Sequence, residues 1–83
     1  MVALARRWRV TVVPFDGAFW LVALDQFGVR YVNEAMAFYQ ERDAWAEVDE
    51  YSGRWSPVGV DGWVESSGSE LAQAVACVLD GHG

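Results

Sequence analysis

The stretch NEAMAFYQERDAWAEVDEY, residues 33–51, decides how the rest of the chain is read, because its composition suits either a helix or a pair of strands. Glu34, Ala35, Met36, Ala37, Gln40, Glu41, Arg42, Ala44, Ala46 and Glu47 are mostly good helix formers. Asn33 is a favoured N-cap residue, and Glu34 just inside it places negative charge where a helix N-terminus stabilises it. With about 3.6 residues per turn, Ala35, Phe38, Tyr39, Trp45 and Ala46 fall on one side, interrupted by Arg42. Glu34, Glu41, Asp43, Glu47 and Glu50 lie away from the centre of that side. This reading predicts a helix through the stretch. The competing expectation is a strand running from Val29 through Tyr39, a turn at Glu41–Asp43 and a second strand from Trp45 to Tyr51, since aromatic and β-branched side chains also suit a sheet.

On its N-terminal side, Trp8, Val10 and Val12 alternate with Arg9, Thr11 and Val13 as in a strand, which ends at Pro14. Asp16-Gly17 supplies turn chemistry, and the apolar run Ala18–Leu24 reads as a buried strand. The two make a β-hairpin with a loop of about three residues around Phe15–Gly17. Asp25–Gly28 forms the next turn, and Val29–Val32 returns as a third strand. On the C-terminal side, Arg54–Val60 and Trp63–Glu65 flank an Asp61-Gly62 turn as a second short hairpin, with Pro57 confining its strand to an edge or bulge. Ser67-Gly68-Ser69-Glu70 matches a capping box, so a helix is expected from near Gly68 to residue 80, with Leu71, Ala74, Val75, Val78 and Leu79 on one face and Gly81 closing it. The fold class expected is a single α+β domain: an antiparallel sheet of three to five strands packed against one or two helices.

The 83 residues bound the chain to one small core, and the 53% apolar content with five Trp supports a folded domain. A domain this small is marginal, so homodimerisation or a partner covering exposed aromatics is in keeping with its size. Twelve acids against six bases give a net charge of −6, and every base is Arg. Such a chain is repelled by nucleic-acid backbones and anionic membranes and attracted to basic protein surfaces. The lone Cys77 forms no internal disulfide, no stretch approaches the roughly 20 apolar residues of a membrane span, and the N-terminal residues have their apolar and basic parts in the order opposite to a signal peptide. The cytoplasm is the expected location.

Catalytic and metal chemistry find few candidates. His82 is the only histidine and lies one residue from the end, without a second His for zinc or a nucleophile beside it. Cys77 sits at the edge of the apolar face of the last helix, where a free thiol behaves as a small hydrophobe. The carboxylates from Glu41 to Glu50 have neither the spacing nor the glycine of a calcium loop. No enzyme activity, cofactor or metal is expected. Trp8, Trp20 and Trp63 belong in strands and in the core. The average burial of Trp favours the core for Trp45 and Trp55 too, whereas an exposed Trp rimmed by carboxylates is a contact hot spot against Arg-rich surfaces.

The run Trp8-Arg9-Val10-Thr11-Val12, the DG turn and Phe19-Trp20-Leu21-Val22-Ala23-Leu24 resemble the first hairpin of HicB-like antitoxins. The resemblance lacks that family's proline-glycine-cysteine stretch after the second strand; it implies a module that neutralises a small toxin. The reading favoured by charge is a non-enzymatic acidic module that inhibits or regulates a basic partner, including a nucleic-acid-binding one, without touching nucleic acid or membrane itself. Small phage inhibitors such as anti-CRISPR and DNA-mimic proteins share this profile as a class. Its candidate contact residues are Glu41, Asp43, Trp45, Glu47, Asp49, Glu50 and Trp55. A small enzyme or ligand-binding domain is the further alternative, and it requires two convergent carboxylates in a concave site.

Overall fold

A computed structural model describes residues 8–50 and 61–81. They form an α+β domain: a four-stranded antiparallel sheet in the order β1-β2-β3-β4, with one helix against each face. The strands are β1 (Trp8–Phe15), β2 (Ala18–Asp25), β3 (Arg30–Phe38) and β4 (Trp63–Glu65). Helix α1 spans Glu41–Glu50, and α2 spans Glu70–Leu79.

The first hairpin is tighter than the sequence suggests. Phe15 belongs to β1 and pairs with Ala18, leaving a two-residue loop at Asp16-Gly17 in place of the expected three. Both loop residues have positive φ, 52° and 76°, as in a type I′ turn. That turn matches the right-handed twist of the flanking strands, which is why Asp-Gly selects it. Alternation along the two strands then sorts the side chains. Val13, Trp20, Val22 and Leu24 pack towards α2, and Val10, Val12, Leu21 and Ala23 towards α1.

Strand β3 carries the main departure from expectation. Val32 pairs with Val22 and Ala37 with Trp20, so Asn33, Glu34, Ala35 and Met36 together stand opposite Leu21 alone. The surplus is an odd number of residues, which exchanges the faces. Tyr31 before the bulge and Met36 and Phe38 after it therefore all pack on the α1 side. Asn33, 2% exposed, holds the bulge: its Oδ1 accepts from the backbone N–H groups of Ala35 (2.9 Å) and Met36 (3.1 Å). These are the bonds an N-cap makes to the second and third residues after it. The sequence signal was therefore real, but the chain uses it to bulge a strand. The helix expected from Asn33 begins only at Glu41, and Met36 and Phe38 instead pack from β3 against the cluster beneath α1.

The face of α1 also differs from the wheel. Ala44 is fully buried and Val48 half-buried against the sheet, while Trp45 and Ala46 are exposed. At the far edge, β4 pairs with Tyr31–Asn33 of β3, and Trp63 is buried. The hairpin partner expected for it, residues 54–60 with Trp55 and Pro57, lies outside the described residues.

Helix α2 starts two residues later than the capping box implies. Ser66–Gly68 forms a 3-10 turn, and Ser69 is the N-cap, its Oγ accepting from Ala72 N–H at 3.0 Å. The Ser69 hydroxyl also donates to Glu34 Oε2 in the β3 bulge. A cap bonded on both sides outcompetes Ser67. The helix buries Ala72, Val75 and Ala76, with Leu71, Val78 and Leu79 flanking them. Asp80, at its C-terminal end, is ion-paired with Arg30 at 2.6 Å.

The bulge makes a direct prediction. Asn33→Ala leaves two amides without their acceptor and should cost about 2–3 kcal/mol in urea melts. Gly62 lies against the same bulge with φ of 92°, and a Cβ there would stand 2.7 Å from Ala35 Cβ. Gly62→Ala should be at least as damaging, and a wild-type midpoint in either variant would contradict this account of β3.

Candidate functional site

The outer side of α1 gathers most of the residues that sequence reasoning named. Glu41, Asp43, Asp49 and Glu50 are exposed, Glu47 is half-buried, and Trp55 lies outside the described residues. Trp45 is 41% exposed, contrary to the average burial of tryptophan. Its Nε1–H donates to Glu41 Oε2 at 3.0 Å, one helical turn back. That bond lays the indole along the helix and leaves an apolar surface beside a carboxylate. Arg42 is the only base on the helix.

Tyr39 is a further exposed aromatic and was missed. It is 81% exposed at the junction of β3 and α1. The helical reading placed it among the apolar residues, whereas the strand alternation after the bulge turns Met36 and Phe38 inward and Ala35, Ala37 and Tyr39 outward. A period of two over Ala35–Tyr39 was the available signal.

The charges on α1 work against the helix that carries them. Asp49 and Glu50 lie in the last turn, which has no base, so both oppose the helix dipole at a cost of about 0.3–1 kcal/mol each. Asp43 with Glu47, and Glu47 with Glu50, are like-charge neighbours at helical spacing, which is also destabilising. Glu41 and Asp43 in the first turn are the favourably placed members. The helix is held by Ala44 and Val48 on the sheet.

Other chemistry is sparse among the described residues. No group of three or more His, Cys, Asp or Glu is close enough to hold a metal ion. Cys77 is half-buried on α2, and His82 lies outside the described residues. A cleft of about 420 Å³ is lined by Trp8, Arg9, Leu24, Asp25 and Gln26. Its single carboxylate, Asp25, is committed to structure, since Oδ1 accepts from the N–H groups of Phe27 (2.9 Å) and Val29 (2.8 Å) and so holds the β2–β3 turn. The two convergent carboxylates by which the enzyme alternative is to be recognised are not both present in the lining of this cleft.

No protein-family model, no curated protein and no solved structure matches the chain.

The two sides of α1 should respond oppositely to substitution. Trp45→Ala is expected to change stability by less than about 1 kcal/mol, because the indole is exposed and its hydrogen bond is to an exposed Glu41. Ala44→Glu, which buries a carboxylate against Leu21 and Ala23, should prevent folding or cost more than about 3 kcal/mol. Thermal and urea melts of both variants check this.

Proposed function

We propose that the protein is a non-enzymatic binding module whose α1 face docks on a basic protein surface and thereby inhibits or regulates its owner. The observation that carries this reading is that α1 carries Glu47, Asp49 and Glu50 where they weaken it, with Asp49 one helical turn from the exposed Trp45. A carboxylate that costs its own helix stability and borders an exposed aromatic, as Asp49 does, is well suited to a partner's cation. Trp45 is the candidate anchor, since Trp and Tyr dominate interface energetics and an indole face attracts guanidinium groups. Glu41 and Asp49, one turn before and after it, would pair with Arg or Lys at the rim, and the other carboxylates of the helix would speed the encounter.

The partner class is a basic protein, whether a nucleic-acid-binding effector blocked in the manner of small phage inhibitors or a small toxin held by an antitoxin-like module. Both act in the cytoplasm. With a net charge of −6, the module would reach such a partner without binding nucleic acid or membrane itself.

Affinity capture from the native host's lysate, at low salt and at roughly 0.5 M, where the screening length falls to about 4–5 Å, tests the reading. A basic protein is expected at low salt and should be lost at high salt. Glu47→Lys with Asp49→Lys and Glu50→Lys should weaken purified binding at least ten-fold, and Trp45→Ala by a similar factor. Undiminished affinity in both variants would sink the proposal.

A further inference from the structure

Strand β1 is one edge of the sheet, and no described strand pairs with the outer side of its residues 10–14. Which groups face outward follows from the pairing. Asp25 N–H donates to Val29 O, so the odd-numbered residues of β2 bond towards β3 and the even-numbered ones towards β1. The closing pair Phe15–Ala18 of the two-residue hairpin gives the same alternation. Thr11, Val13 and Phe15 therefore bond inward. The N–H and C=O groups of Val10 and Val12, and the C=O of Pro14, point out. Pro14 is tolerated because the N–H it lacks would have faced solvent, not β2.

This edge has few of the guards that keep edge strands apart. It contains no Lys, no carboxylate and no bulge, and Arg9 is its only charge. Val10, Thr11 and Val12 are consecutive β-branched residues, each only half-buried. An acidic molecule that must bring two like-charged copies together can do so here without setting a carboxylate against its own image.

We infer that β1 pairs antiparallel with β1 of a second copy about a two-fold axis at Thr11, extending the sheet across the dimer. In that register Val10 and Val12 of one copy lie opposite Val12 and Val10 of the other. Their four outward N–H groups each meet a C=O. Thr11 faces its own image in a non-hydrogen-bonded pair, with Cα atoms about 4.5 Å apart, and Thr–Thr pairs across strands are favourable. Arg9 faces Val13, so no like charges meet within the strand. Any other extended segment could use the same backbone groups, but only the second copy makes the side-chain pattern complementary to itself. The axis stands perpendicular to the sheet and brings both α1 helices to the same side. Their mutual repulsion makes the dimer tighter as salt rises, opposite to the salt dependence of the basic-partner contact.

The test is the mass of the full chain by sedimentation or light scattering over a range of concentrations, with circular dichroism to establish folding. The wild type should dimerise, more readily at high salt. Thr11→Arg and Thr11→Glu should each associate at least ten-fold more weakly, and an equimolar mixture should restore the dimer by pairing opposite charges across the axis. Should either variant fail to fold, Val12→Pro removes an outward N–H while leaving the β1–β2 ladder intact, and it should be a folded monomer. A wild type that stays monomeric overturns the inference, as does a dimer indifferent to the Thr11 variants or to Val12→Pro. Shifts of the Val10 and Val12 amides on adding another protein to a monomeric wild type would assign the edge to a foreign strand instead.

Discussion

The structure depends on what Asn33 does inside β3. One buried amide oxygen satisfies two backbone N–H groups and so stabilises a bulge that would otherwise leave them unpaired. Three other features rest on that bulge. Glu34 N–H donates to Gly62 O at 2.6 Å, which draws in the turn before β4. The Glu34 carboxylate accepts from Ser69 and so anchors the N-terminus of α2. The exchange of faces turns Phe38 inward opposite Phe19 and sends Tyr39 out at the start of α1. A regular β3 would reverse each of these positions.

The centre of the sheet is built from small and β-branched residues so that larger ones can close over it. Leu21, Val22, Ala23 and Val32 are fully buried, as are Ala44 on α1 and Ala72 and Val75 on α2. Alanines at the helix contacts let the backbones approach closely, which matters in a chain with little volume to bury. Ala23 shows the same economy on the sheet: its short side chain leaves room for Trp8 and Tyr31 to meet from the flanking strands, edge to face at 5.5 Å. Such a pair adds about 0.5–1.5 kcal/mol beyond the area it buries. Trp20 makes its own local connection by donating from Nε1 to Phe15 O at 3.0 Å, which braces the first hairpin.

Local signals were legible in the sequence, and competition between them was not. The Asp16-Gly17 turn and the alternation of Trp8–Val13 each answer to residues a few positions apart, and each is present in the structure; the face of α2 is turned from the expected one, with Ala72 and Ala76 buried beside Val75 and Ala74 outside the core cluster. Asn33 carried a genuine capping signal, but whether it capped a helix or a bulge depended on the burial of Met36 and Phe38 against β2 and α1, contacts distant in sequence. Ser69 displaced Ser67 as cap because Glu34, far back in the chain, was its second partner. On α1 the carboxylates were nameable from sequence. The exposure of Trp45 was not, because only the burial of Ala44 and Val48 fixes which side of the helix faces out. Tyr39 was hidden because the bulge in β3 sets which way the residues after it face.

The distribution of charge on α1 is best understood as a division of labour between its two sides. The inner side is small, Ala44 and Val48, and the sheet beneath it supplies the large apolar surface. Helix stability in a protein comes mainly from such tertiary packing and not from intrinsic propensity. The outer side is therefore released from any need to favour the helix. It can carry Asp49 and Glu50 at the wrong end of the dipole and like charges at adjacent turns, each a loss of a few tenths to about 1 kcal/mol that the packing offsets. Its one internal bond, from Trp45 to Glu41, restrains the indole without burying it. An exposed tryptophan bonded in this way has less side-chain entropy to lose on contact than a free one, which is the saving the proposed docking would draw on.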